Sequence, residues 1–172
     1  MNMFEKAIEI AKLAHQGQKR KYTHEPYLTH PFAVAGLVAS VTYDEDMIIA
    51  AMLHDVVEDS EINIYEIRNI FGDYIATLVD ELTDKTTLSD GNRTERRIID
   101  RANTNKACAE AKTIKLADVI DNLKTVIVHD KGFAKIYMEE KEELLLVLTE
   151  GDKTLFEVAS NIIKEFKESI EE

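Results

Sequence analysis

An all-α fold is predicted for this chain of 172 residues, and three observations predict it. Apolar residues recur at three- and four-residue intervals almost throughout, as on one face of a helix. Strict apolar–polar alternation, the mark of a half-buried strand, is nearly absent. The only two prolines, Pro26 and Pro31, lie around the start of one element and interrupt nothing after it. No internal repeat, linker or low-complexity run divides the chain. Residues 1–172 are therefore expected to form a single domain, a helical bundle.

The elements follow in order. Phe4, Ala7, Ile8, Ala11 and Ala14 make one face of a first helix, which Gly17 is placed to end. Residues 18–27 are polar and basic, contain Pro26, and read as a loop. Thr29 is placed to cap a second helix, with Pro31 tolerated in its first turn. Asp44 caps a third helix running to about Glu58, Asn63 caps a fourth stopping near Gly72, and a fifth covers Asp73 to about Leu82. Residues 83–92 lack apolar periodicity and read as a loop. An arginine-rich sixth helix covers about 93–102, and a long seventh about 105–128. Two more, roughly 133–148 and 155–170, complete the bundle.

Composition bounds the function. At 45% apolar residues the chain can bury a core without disulfide or metal staples. The 33 acidic against 21 basic side chains leave a net charge of -12, which argues against nucleic acid or an anionic membrane as partner. A phosphate-bearing small molecule is not excluded, because a bound cation inverts the local field. The lone Cys108 excludes an intrachain disulfide, fits a reducing compartment and reads as a small buried apolar residue. The N-terminus lacks the apolar run of a signal peptide, and the longest apolar stretches, such as 47–53, are far too short to span a bilayer. The expected location is the cytoplasm; the sequence leaves the oligomeric state open.

The informative segment is Leu53-His54-Asp55-Val56-Val57-Glu58-Asp59. It follows Ile48-Ile49-Ala50-Ala51-Met52, a run apolar enough to be buried on most sides. Four ionisable residues in the six positions after Leu53 are costly there unless something compensates them, and a divalent cation is the simplest compensation. Carboxylates at a helix C-terminus also oppose the helix dipole, which disfavours a merely solvated acidic end. His54 and Glu58 are four apart, as are Asp55 and Asp59, so each pair shares a face. His54 and Asp55 can address one ion while Glu58 and Asp59 sit a turn further on. His30, beside Pro31, and Asp118, in the apolar middle of the seventh helix, are further candidates. Taken alone, the first is more often a surface or capping residue, and the second more often a hydrogen-bonded structural acid. Asn122 and Thr125 follow Asp118 at four and three residues and share its face. Two His and two Asp would form a mixed N/O site suited to Mn²⁺, Fe²⁺ or a similar ion.

His30, His54-Asp55 and Asp118, in this order on separate helices, resemble the HD superfamily of metal-dependent phosphohydrolases. The segments Ala14-His15-Gln16-Gly17-Gln18-Lys19-Arg20-Lys21, Pro26-Tyr27-Leu28-Thr29-His30-Pro31, residues 50–59, Phe71-Gly72 and Ile114-Lys115-Leu116-Ala117-Asp118 are similar to the alarmone hydrolases. These are the hydrolase domains of RelA/SpoT proteins and the Mesh1-type small enzymes. The resemblance covers roughly residues 7–125 and implies an HD-type helical bundle.

It further implies a reaction: removal of pyrophosphate from the 3′ position of ppGpp or pppGpp, leaving GDP or GTP. By the same resemblance His30, His54, Asp55 and Asp118 match the metal ligands, usually for Mn²⁺. Glu58 and Asp59 match the acidic pair that orients and activates water. Arg20, with Lys21 beside it, matches the residue packing on the guanine base, and Asn122 and Thr125 match nucleotide contacts. Arg93, Arg96, Arg97 and Arg101 form a basic cluster readable as a solvated helix face or, with Lys85, as an attractor of the 5′ phosphates. Two alternatives stand beside this reading. One is an HD phosphohydrolase acting on a nucleoside monophosphate, an adenine alarmone or NADPH; the other is a metal-binding regulatory module without turnover.

Overall fold

The computed structural model describes residues 1–171, and among them the only β pairing is an isolated bridge between Lys19 and Pro26. The fold is all-α, as predicted. Its contacts sort the chain into two compact units, Met1–Asp84 and the segment from Lys85 onward.

The first unit holds α1 (Met3–Ala14), α2 (Thr29–Ala39), α3 (Glu45–Leu53), α4 (Val56–Asp59), α5 (Ile64–Phe71) and α6 (Asp73–Leu82). Reciprocal capping boxes start α1, where Asn2 and Glu5 exchange hydrogen bonds, and α5, where Asn63 and Glu66 do. Asp44 starts α3 by accepting the N–H groups of Asp46 and Met47. The small residues Ala7, Ala11 and Ala14 are the buried face of α1, letting that backbone come close to its neighbour. α3 is the centre of the unit, packed by α1, α2 and α6, and it buries Met47, Ile49, Ala50, Ala51 and Leu53. A helix covered on several sides needs no amphipathic stripe, hence its nearly continuous apolar run. Gly72, at φ 88°, supplies the turn between α5 and α6 that L-residues rarely adopt.

The second unit holds α7 (Arg93–Thr104), α8 (Ala109–His129), α9 (Lys131–Leu145) and α10 (Lys153–Glu171). α8 is central here, with Ile114, Leu116, Ala117, Val119, Ile120 and Leu123 all buried and both α9 and α10 packed on it. α7 buries only Asp100 among its residues. That carboxylate accepts the N–H groups of Lys85 and Thr86 and the Thr86 hydroxyl, so it organises the start of the unit. Arg93 forks onto Glu140 at 2.7 and 2.8 Å, and Arg101 pairs with Glu143, tying α7 to α9. Two of the four clustered arginines thus serve helix–helix ion pairs.

Several boundaries differ from the sequence reading. The helix expected from Asp44 to about Glu58 stops at Leu53 and restarts at Val56. Thr29 is the first helical residue rather than the cap, its hydroxyl donating to the Pro26 carbonyl. The loop expected at 83–92 contains a short 3₁₀ turn, Leu88–Asp90, closed by Thr87 and Asp90. α8 begins at Ala109 rather than near 105, because Asn105 to Ala107 close the C-terminal turns of α7 instead. Cys108, expected to be buried, is half-buried at the N-cap of α8.

Candidate metal centre

The break between α3 and α4 creates the centre. Asp55 adopts φ -96° and ψ -4°, the sparsely populated bridge region where many active-site residues sit. It occupies the N-cap of α4, yet its side chain makes no capping bond. The carboxylate is turned instead to the Tyr27 hydroxyl, which donates to Oδ2 at 2.6 Å.

The same Oδ2 faces two buried imidazoles. Nε2 of His54 lies 3.2 Å away and Nε2 of His30 lies 3.6 Å away. His30 enters from the first turn of α2, where its N–H is held by the Tyr27 carbonyl at 2.9 Å. The two imidazoles meet edge to face with centroids 5.1 Å apart. Ligand atoms from His30, His54 and Asp55 all lie within 4.8 Å of one another.

The tautomer of His54 follows from its partner. Nδ1 is 2.8 Å from the Ala51 carbonyl, which can only accept, so Nδ1 carries a proton. In the neutral ring Nε2 then presents a lone pair towards a carboxylate oxygen that is also an acceptor. Two acceptors 3.2 Å apart repel unless a proton or a cation lies with them. An Nδ1–H held by a backbone carbonyl is the usual outer support of a metal-ligating histidine. Two imidazole nitrogens and a carboxylate oxygen fit a divalent transition-metal ion, with room left in its coordination shell.

Glu58 and Asp59 follow one turn on in α4, both on the exposed side. Oε1 of Glu58 accepts the backbone N–H of Asp84. Burial, and after it the charge of Asp55, hold the Asp59 carboxyl above its ordinary pKa, against the opposing pull of His15, His54 and His30. Oδ2 of Asp59 lies 3.8 Å from Nδ1 of His15, whose side chain is fully buried. That nitrogen is also 2.9 Å from Gln18 Oε1, while Gln18 Nε2 donates to the Asp59 carbonyl at 3.0 Å. His15 and Tyr27 lie in segments quoted for the family resemblance, but residues 12 apart in a loop share no periodic face. Sequence reasoning therefore assigned them no role.

Arg20 is buried, its backbone clipped by an N–H to the Glu25 carbonyl at 2.9 Å. Lys21 is exposed, with Nζ over the Tyr22 ring. In the second unit Asp118 is buried on α8, its Oδ2 3.1 Å from Lys115 Nζ and its Oδ1 accepting from Asn122 Nδ2 at 2.6 Å. Asp118 and Asn122 therefore share a face, as their spacing requires. Thr125 is half-buried, its hydroxyl donating to the Asp121 carbonyl at 3.3 Å. Tyr137 is close enough for burial first, and then the Asp118 charge, to push its phenol well above the usual tyrosine range. Lys85 is exposed, with its N–H on Asp100.

The chain resembles several known proteins. A family model described as HD domain matches residues 7–142. The Drosophila melanogaster guanosine-3′,5′-bis(diphosphate) 3′-pyrophosphohydrolase MESH1 is 36% identical over 129 residues, covering 73% of this chain and 70% of the fly protein. A Streptomyces coelicolor GTP pyrophosphokinase is 34% identical over 131 residues, and this chain spans only 15% of its length. A solved structure described as a metazoan ortholog of SpoT that hydrolyzes ppGpp superposes with a TM-score of 0.87 at 27% identity, covering 96% of each chain. No helix among the described residues is long and apolar enough to cross a membrane.

Proposed function

The chain belongs to the HD domain family, and on that premise we propose that it is a metal-dependent hydrolase that removes pyrophosphate from the 3′ position of guanosine 3′,5′-polyphosphates, leaving GDP or GTP. The observation that carries this reading is the convergence of His30, His54 and Asp55 one helical turn from two carboxylates. The 36% identity to a protein named for this activity supports the choice of substrate.

His30, His54 and Asp55 would hold the ion, with Asp118 as fourth ligand by family resemblance. When bound, a divalent ion such as Mn²⁺ lowers the pKa of coordinated water and neutralises phosphate oxygens. Asp59, whose carboxyl is held above its ordinary pKa by burial and then by the Asp55 charge, is a stronger base than a free aspartate and suited to accept a proton from the attacking water. Glu58, directed by the Asp84 N–H, orients that water. Arg20 offers a planar cation for the guanine face, a task a lysine performs less well. Lys21, Asn122, Thr125 and Lys85 are assigned to the remaining nucleotide contacts. A centre bearing Asp55, Glu58 and Asp59 is compatible with a polyphosphate only because the ion offsets their charge.

The test is direct. Chelator-stripped protein reloaded with Mn²⁺ is incubated with ppGpp, and nucleotides are resolved by anion exchange. GDP and pyrophosphate in equal amounts are expected, with no turnover before reloading. A panel of nucleoside monophosphates, an adenine alarmone and NADPH is run in parallel. Turnover of one of these with ppGpp left intact would reject the guanosine substrate while retaining the hydrolase.

A further inference from the structure

Tyr27 joins the loop after α1 to the metal-ligating side chains. Its hydroxyl donates to Asp55 Oδ2 at 2.6 Å, an oxygen–oxygen separation in the range of hydrogen bonds to an ionised carboxylate. That oxygen is the one facing both histidine Nε2 atoms. The tyrosine ring stands edge-on to His30 with centroids 5.6 Å apart and packs against His15 at 4.9 Å. Its own backbone is fixed at both polar groups: the N–H donates to the Gln18 carbonyl at 3.0 Å, and the carbonyl accepts the His30 N–H at 2.9 Å.

Asp55 has a competing resting place. At the N-cap of α4 an aspartate ordinarily turns to the free N–H groups of its own helix, a bond typically worth about 1 kcal/mol. The Asp55 side chain makes no such bond. The phenol holds the carboxylate instead by a charge-assisted hydrogen bond, and a carboxylate has lone pairs enough to accept that bond and address an ion as well.

We propose that Tyr27 is a positioning residue of the metal centre: its hydroxyl holds the Asp55 carboxylate in the ligating orientation, and its ring fixes the His30 imidazole. The inference rests on His30, His54 and Asp55 being metal ligands. Loss of an outer partner of this kind weakens metal binding about 10- to 100-fold.

Tyr27→Phe keeps the ring and removes only the hydroxyl. Parent, Tyr27→Phe and His54→Ala, each as the full chain and stripped of metal, are titrated with Mn²⁺ by calorimetry. The ion-induced rise in melting temperature is read in the same samples. Tyr27→Phe is expected to bind about 10- to 100-fold more weakly with unchanged far-ultraviolet dichroism. Its ppGpp hydrolysis should return to near the parent rate when Mn²⁺ is raised to saturation, a rescue that a merely structural tyrosine would not show. Affinity within twofold of the parent, or a rate that saturating Mn²⁺ fails to restore, overturns the role of Tyr27. A parent that binds no Mn²⁺ more tightly than His54→Ala overturns the metal reading itself, and this inference with it.

Discussion

The carboxylate of Glu58 accepts the backbone N–H of Asp84 at 2.5 Å, linking α4 to a residue 26 positions away just beyond α6. α4 has only four residues, too few for its own hydrogen-bond ladder to hold an exposed side chain in one direction. The long-range bond does so instead. It also gives Glu58 a structural role, fastening the segment after α6, that is separable from the water-orienting role proposed for it.

Substitution can separate those roles. Glu58→Gln keeps an oxygen acceptor for the Asp84 N–H but loses the charge. Its kcat for ppGpp is expected to fall about 100-fold or more with an unchanged unfolding midpoint. Glu58→Ala should show the same loss of rate plus about 1 kcal/mol of stability, read by urea unfolding.

Metal should stabilise the parent and fail to stabilise a ligand variant. At an Mn²⁺ concentration of about 100 times Kd the parent gains roughly 2.7 kcal/mol, a rise of several degrees in Tm. For His30→Ala and His54→Ala this metal-dependent rise is expected to vanish. Scanning calorimetry with and without Mn²⁺ measures it, and a rise equal to the parent's in both variants would remove these histidines from the ligand set.

Asp59 predicts a pH effect in the metal-free protein. Burial first, and the Asp55 charge second, raise its folded pKa above the ordinary 3.8. The native state then binds a proton that the unfolded chain has released, so stability falls as pH rises from 3.8 through the folded pKa. At neutral pH the ionised carboxyl is a net cost. Asp59→Asn is therefore expected to raise the apo melting temperature at pH 7, with the gain fading as pH falls through the folded pKa and gone below the ordinary aspartate value. A Tm series across pH for both proteins reads the sign.

Gly151 tests the packing under α8. A Cβ added there would stand 2.8 Å from Leu116 Cδ1 and 3.1 Å from backbone atoms of Lys112 and Thr113. Backbone cannot yield as a flexible side chain can, so Gly151→Ala should cost about 1–3 kcal/mol in denaturant unfolding.

Much of the centre is legible along the chain because its parts are local. His54, Asp55, Glu58 and Asp59 stand within six positions after an apolar helix, and their cost there signals a compensating ion. Asp118 and Asn122 are four apart on one helix and meet as that spacing dictates. The break after Leu53 was not legible. The residues 48–58 keep a helical pattern across it, and nothing local distinguishes a continuous helix from one interrupted at Asp55. Tyr27 and His15 were equally hidden, since their contacts with Asp55 and Asp59 cross 28 and 44 positions of chain and depend on how the loop folds back.

The chain's own order of residues determined that the fold is helical, where most helices begin and which side chains carry the ionisable chemistry, because helix caps and apolar periodicity act over four residues or fewer. Only the tertiary structure decided which oxygen of Asp55 faces the histidines, which nitrogen of His54 carries the proton, and which tyrosine holds that carboxylate off its own helix. These are outcomes of hydrogen-bond competition between groups distant in sequence, and no local preference encodes the winner.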